Sequence, residues 1–304
     1  MKRLGTLLLL LFMSSQASHS QSWVNTQQYP FESKYLALEG GRMHYLDEGE
    51  GDVILFVHGT PTWSFLYRDF VRELSQNYRC IAIDHLGFGL SDKPAEVAAT
   101  PQWHAQNLTA FIQALDLQDV TLVVHDFGAP IGLAAGIAQA HRIKRVVMFN
   151  TWLWATADEK RAQKINRMAH SGLGRFLYLN MNISPKVLLK QGFADKRHLT
   201  KAMHLQYLHP FPSKQSRVPL LDLAKALVGS SEWYQQQWLK LDALSTKDWL
   251  ILWGTEDSFI TTEYLQQWEQ RLPQAEKVIY NCGHFVQEEK TAEAIVAIRT
   301  FMEK

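Results

Sequence analysis

Cysteine is nearly absent: Cys80 and Cys282 are the only two in 304 residues, so no disulfide framework holds the chain together. The two are expected at opposite ends of strands that are not neighbours. A bridge needs Cα atoms within about 7 Å, so both are expected as free thiols. No block of like charge and no acidic tail occurs, and the formal net charge is only +1, so a nucleic-acid partner is not expected. After residue 13 no apolar run reaches the ~18 residues of a membrane span, and no membrane partner is expected. The histidines show no metal-ligand spacing, so neither a metal nor any other cofactor is expected. There is no internal repeat and no low-complexity tract. What is abundant is apolar surface: 46% of residues are hydrophobic and ten are Trp. That is ample for one sizeable core, and for an apolar ligand cavity beside it.

The first twenty residues stand apart. Lys2 and Arg3 precede a short Leu-rich stretch, Leu4 to Met13, and Ser18-His19-Ser20 offers small residues at both positions of a cleavage site before Gln21. This is the layout of a secretory signal peptide. Export to the periplasm or medium is expected, with cleavage near Ser20.

Short apolar runs alternate with helical stretches, the signature of a mainly parallel sheet wrapped by helices. Strands are predicted at 34–38, 43–47, 53–57, 79–83, 120–124, 145–149, 249–253 and 277–280, the first two as a hairpin. Helices are predicted at 65–74, 102–115, 128–139, 263–271 and 291–302. About a hundred residues separate the sixth strand from the seventh, too many for one crossover. They read as helices at 158–168, 175–179, 185–191, 196–208, 217–226 and 231–239. A lid over the carboxyl ends of the strands, where open α/β sheets bind ligands, accounts for them. The expected organisation is a leader (1–20), a core (21–152 and 241–304) and a helical cap (153–240).

Five motifs fall at strand ends. Thr121 to Pro130 is an apolar strand running through Asp126 into an Ala/Gly-rich helix. This is the strand–sharp turn–helix of a nucleophile elbow with Asp where Ser is usual. A carboxylate is ionised at neutral pH and can attack an sp³ carbon without a base, leaving an ester that water must cleave. His58-Gly59-Thr60-Pro61 follows another strand. Its backbone donors, at Thr60 or around Trp63, together with Phe127 form the expected oxyanion hole. Asp84 to Asp92 carries two glycines but no following Lys-Ser/Thr pair, so it is read as a structural loop rather than a phosphate cradle. Asp257 follows the seventh strand and is the candidate to orient an imidazole. His284 follows the eighth and is the candidate general base. The order nucleophile, acid, histidine matches that of α/β-hydrolases.

The chain resembles haloalkane dehalogenases of the α/β-hydrolase superfamily. The resemblance rests on His58 to Arg68, Gly87 to Pro94, the Asp126 elbow, Tyr207 to Pro212 with Arg217, and Gly283 to Glu289. It covers most of residues 30 to 300. It implies an α/β-hydrolase fold with a mostly parallel eight-stranded sheet, helices on both faces and a helical cap inserted after the sixth strand. It also implies hydrolysis of a carbon–halide bond to an alcohol through a covalent ester on Asp126, with His284 as base and Asp257 as supporting acid. One departure stands at a decisive place. The family sets a halide-holding Trp directly after the nucleophile, and here that residue is Phe127, which has no side-chain donor. Thr60 takes the place of a second family donor, an Asn. Trp63, Trp152, Trp154, Tyr178 and Tyr207 are the candidates to line the substrate pocket. Trp152 or Trp154 would replace the missing donor, and Tyr178 with Tyr207 would serve an epoxide hydrolase. The expected partners are a small apolar organic substrate and water. Epoxide hydrolysis, opening of a small lactone or ester, and non-catalytic binding of an apolar ligand remain as alternatives.

Overall fold

The computed structural model describes residues 22–304, and the expected leader lies outside the described residues. Eight strands form one sheet: β1 (Lys34–Leu38), β2 (Gly41–Glu48), β3 (Val53–Val57), β4 (Arg79–Ile83), β5 (Val120–Val124), β6 (Ile143–Met148), β7 (Asp248–Gly254) and β8 (Glu276–Tyr280). Their spatial order is β1-β2-β4-β3-β5-β6-β7-β8. The β1–β2 hairpin joins β4 antiparallel, and every pairing from β4 to β8 is parallel. β3 and β5 are buried along their whole length, as central parallel strands covered on both faces must be.

The period-two alternation of β3 builds both layers of core. Val53, Leu55 and Val57 point to the layer that holds Leu108, Phe111 and Ile131, from helices α2 (Pro101–Ala114) and α3 (Gly128–Ala138). Ile54 and Phe56 point to the other face. There they meet Phe70 and Val71 of α1 (Arg68–Leu74) and Ile298 and Phe301 of α12 (Thr291–Met302). Cys80 in β4 and Cys282 beyond β8 are both buried free thiols, with four strands between β4 and β8.

Between β6 and β7 the chain forms α4 (Lys160–His170), α5 (Gly172–Leu179), a π turn at Ser184–Leu188, α6 (Leu189–Gln191), α7 (Lys201–Leu208), α8 (Val218–Gly229) and α9 (Ser231–Lys240). Two predicted helices are corrected. The 196–208 helix is broken: Leu199 and Thr200 are non-helical, and the Thr200 hydroxyl accepts from Met203 N to cap α7. The 65–74 helix begins as a 3₁₀ turn over Ser64–Tyr67. The remaining helices of the core are α10 (Thr262–Arg271) and the short α11 (Val286–Glu289). Asp84 ties the 84–92 loop down by accepting from Ser64 N and Leu90 N at 2.7 and 2.8 Å, while Ser91 Oγ donates to the Asp84 carbonyl.

Candidate active site

The carboxyl ends of β3, β5, β6, β7 and β8 meet at one point under the β6–β7 insertion. Asp126 caps β5 at φ +53°, in the left-handed region. A non-glycine residue there is strained, and Asp tolerates it better than most. The backbone is held from two sides, by Asp126 N donating to Asn150 O (3.1 Å) and by Thr151 Oγ1 donating to Asp126 O (2.8 Å). Two glycines are required by packing. A Cβ at Gly59 would lie 2.3 Å from Asp126 Oδ1, and one at Gly128 2.3 Å from the Val57 carbonyl oxygen.

Thr60 N donates to Asp126 Oδ1 at 2.9 Å, and Phe127 N also donates to this carboxylate. The two backbone donors expected of an oxyanion hole therefore converge on the carboxylate of Asp126 itself. Asp126 Oδ2 faces His284 Nε2 at 3.6 Å. His284 Nδ1 donates to Asp257 Oδ2 at 2.7 Å. Asp257 is fixed in turn: Oδ1 accepts from Phe259 N and Ile260 N at 2.7 and 3.0 Å, and Oδ2 from Asn150 Nδ2 at 3.0 Å. Asn150 bridges β6 to β7 through Gly254, whose N–H it accepts and whose carbonyl it bonds. Nothing in the sequence singled out Asn150, because an Asn just past a strand carries no pattern of its own.

Electrostatics follow from this arrangement. Burial alone would drive His284 toward the neutral form. The Asp257 charge, and then hydrogen bonds and charge from both carboxylates, reverse that and push its pKa up to about 10. Burial likewise opposes ionisation of Asp126, but His284, His125 and the Phe127 N–H together hold it below the ordinary carboxylate value. At neutral pH the resting site is an imidazolium between two carboxylates. His125, pushed down to about 3 by burial and by the neighbouring His284, is neutral. Its Nε2 lies 3.0 Å from the His284 carbonyl.

The histidine loop is also tied to the insertion. His284 N donates to Gly192 O at 2.7 Å. Glu289 accepts from Gly283 N (2.9 Å) and Ala194 N (3.2 Å) through Oε1, and from Asp195 N (2.8 Å) through Oε2.

A cavity of about 460 Å³ opens over Asp126 and His284. Thr60, Phe127, Trp152 and Tyr178 line it. Thr60 Oγ1 and Trp152 Nε1 are buried and have no hydrogen-bond partner among the described residues. Three pocket candidates lie elsewhere. Trp63 is fully buried among Tyr29 and Phe65, and its indole N–H donates to Gln206 O at 3.0 Å. Trp154 faces a separate polar cavity beside Tyr264, with its N–H on Glu159. The Tyr207 hydroxyl bonds Glu288, the partner of a buried, bidentate pair with Arg68 at 2.7 and 2.8 Å. Glu288→Ala would leave the buried Arg68 guanidinium with only the more exposed Asp69 carboxylate, 3.3 Å away, and is expected to cost about 3 kcal/mol in urea unfolding. The double change Arg68→Met with Glu288→Leu should recover most of that loss. Equal losses in both proteins would show that the pair carries no such penalty.

Residues 52–291 match the family described as the alpha/beta hydrolase fold. The chain is 32% identical over 275 residues to haloalkane dehalogenase 2 of Mycobacterium tuberculosis, covering 90% of this chain and 95% of that one. It is 30% identical over 283 residues to a cis-3-alkyl-4-alkyloxetan-2-one decarboxylase of Shewanella oneidensis, covering 90% and 89%. The crystal structure of haloalkane dehalogenase DatA from Agrobacterium tumefaciens superposes with a TM-score of 0.81 at 25% identity, over 92% of this chain and 99% of that one.

Proposed function

Because the chain belongs to the α/β-hydrolase family, as a haloalkane dehalogenase-like hydrolase, we propose that it cleaves a carbon–halogen bond of a small apolar substrate through a covalent ester on Asp126. The observation that carries this reading is the pairing of an ionised Asp126 with His284 at the floor of an apolar cavity. A carboxylate oxygen of Asp126 attacks the carbon, the C–O bond forms, and halide leaves with the bonding electrons. Esterification erases the Asp126 charge, and with it part of what holds the proton on His284. The imidazolium then gives up that proton to solvent, and the neutral imidazole is free to take one from water. Hydroxide adds to Cγ of Asp126, and Thr60 N and Phe127 N receive the oxyanion. Collapse frees the alcohol and restores Asp126. Net, the halide and one proton are released and water supplies the hydroxyl.

Opening of a small lactone on the same carboxylate is the second reading. Phe127 favours it, since its ring offers no hydrogen bond to a departing halide. So does the likeness to the oxetanone decarboxylase of Shewanella oneidensis, which covers 90% of this chain, as the dehalogenase match does. Epoxide opening fits less well: of the tyrosine pair only Tyr178 lines the cavity, and Tyr207 is committed to Glu288. The deciding experiment incubates purified protein with bromo- and chloroalkanes, an epoxide and a β-lactone, and measures halide, diol, alkene and acid separately. Halide with a stoichiometric alcohol is the expected result. Alkene from the β-lactone with no halide from any haloalkane would transfer the assignment to the second reading. We propose further that the chain works outside the cytoplasm. Recovery of the protein from the cytoplasm with residues 1–20 intact would contradict that.

A further inference from the structure

The near-zero net charge hides a strong separation. Residues 160–217 hold twelve Lys or Arg and one acid, Asp195, while the rest of the chain holds nineteen basic and twenty-nine acidic residues. All ten cations from Lys160 to Lys201 are exposed. Arg197 pairs with Asp195, and Arg161 donates to the Phe259 carbonyl. The other eight have no carboxylate partner among the described residues.

Apolar side chains are exposed on the same elements: Leu173 (68%), Phe176 (49%), Met181 (50%) and Val187 (44%). Single exposed hydrophobics are ordinary. Four within fifteen residues, set among unpaired cations, form the pattern of an interfacial surface, with apolar groups to enter the headgroup region and long basic side chains to meet anionic heads. The cavity mouth lies among these elements. Lys164 and Met168 of α4 line it on one side, and Leu188 and Gln191 of the π turn and α6 on another. Lys186, Val187 and Lys190 project to solvent from that second wall. A nucleic acid or other polyanion would use the cations but gains nothing from the aliphatic Leu173, Met181 and Val187.

We propose that this face docks on the surface of an anionic lipid bilayer, with the cavity mouth turned toward it, so that substrate dissolved in the lipid reaches Asp126 directly. The absence of a spanning helix among the described residues bears on crossing a bilayer, and docking on one leaflet needs no span.

Co-sedimentation with vesicles tests this. The full chain is compared with a charge-reversed form (Arg167→Glu, Arg175→Glu, Lys186→Glu, Lys190→Glu) and an apolar-deleted form (Leu173→Gln, Phe176→Gln), all with the same N-terminus so that residues 1–20 contribute equally. With phosphatidylglycerol–phosphatidylethanolamine vesicles the charge-reversed form should bind about a hundredfold more weakly or worse. The apolar-deleted form should lose about tenfold at unchanged charge. Vesicles of phosphatidylcholine alone should bind far less. Matching thermal midpoints exclude unfolding as the cause. No difference between wild type and the charge-reversed form would overturn the proposal. So would heparin binding as tight as vesicle binding with the apolar-deleted form unaffected, which would make the face a general polyanion surface.

Discussion

His284→Phe is expected to stop turnover after one event and leave the substrate's alkyl group on Asp126. The phenyl ring preserves the packing against His125 and Phe285, whose ring centroids lie 4.4 and 4.9 Å away. Asp257 keeps the Asn150, Phe259 and Ile260 donors. What disappears is the base. Steady-state rate should fall by about three orders of magnitude or more. Quenched mixtures should show the alkyl mass in the peptide containing Asp126. Asp126→Asn should lose turnover as completely and accumulate no adduct. It also removes one of the two carboxylates that hold the proton on His284, so the imidazole should titrate below the value near 10 of the wild type. NMR of the ring protons reads that shift directly. The same raised pKa sets a stability window. The charged-state contribution is complete below the unfolded value of about 6.5 and is lost as pH rises through about 10. An unmodified Asp126 in His284→Phe, under conditions where wild type turns over, would remove the covalent mechanism.

The second large effect concerns the leaving group. Phe127→Trp would place an indole N–H beside Asp126, where charge develops on a departing halide in the proposed reaction. A well-placed donor of this kind accounts for about a hundred- to a thousand-fold in rate. Halide release from a dibromoalkane should rise accordingly, and chloroalkanes should gain more than bromoalkanes, because chloride depends more on stabilisation. Phe127 meets Trp152 edge to face at 4.9 Å, so the larger ring must displace a neighbour, which limits the gain. Trp152→Phe gives the opposite view. The Trp152 N–H is buried in the cavity wall without a partner among the described residues, and a wild type already fast on chloroalkanes should slow sharply when it is removed. Fast chloroalkane turnover insensitive to Trp152→Phe would place the donor elsewhere.

The strand pattern and the three strand-end residues Asp126, Asp257 and His284 were legible in the sequence because both are local. A β-branched run that ends in Gly or Asp announces its own end, and residue type with chain order fixes which groups can meet. The surroundings were not legible. Tyr207 was a plausible pocket tyrosine until Glu288, 81 positions away, was seen to hold its hydroxyl. Trp63 reads as a ligand-binding aromatic, but its N–H is spent on the Gln206 carbonyl, 143 positions away. Asn150 matters only because β7 arrives beside it. The break at Thr200 turned on a side-chain cap that competes with helix continuation, a local choice that propensity alone does not decide. In each case the partner comes from a distant part of the chain or from a competition between nearly equal local states.

The bonds between Gly192, Glu289 and the histidine loop constrain how the enzyme can breathe. One carboxylate clasps the stretch at 194–195 and Gly283 together, and the neighbouring Gly192 carbonyl receives the N–H of His284 itself. A hinge that swung the whole insertion away would tear His284 from its register with Asp126 and Asp257. Opening is therefore expected in the parts of the insertion that are not tied to the histidine loop, α4 among them, while the segment from 192 to 195 stays with Asp257 and His284. Loop grafts that replace 192–195 would retune proton transfer, and grafts confined to α4 would retune admission.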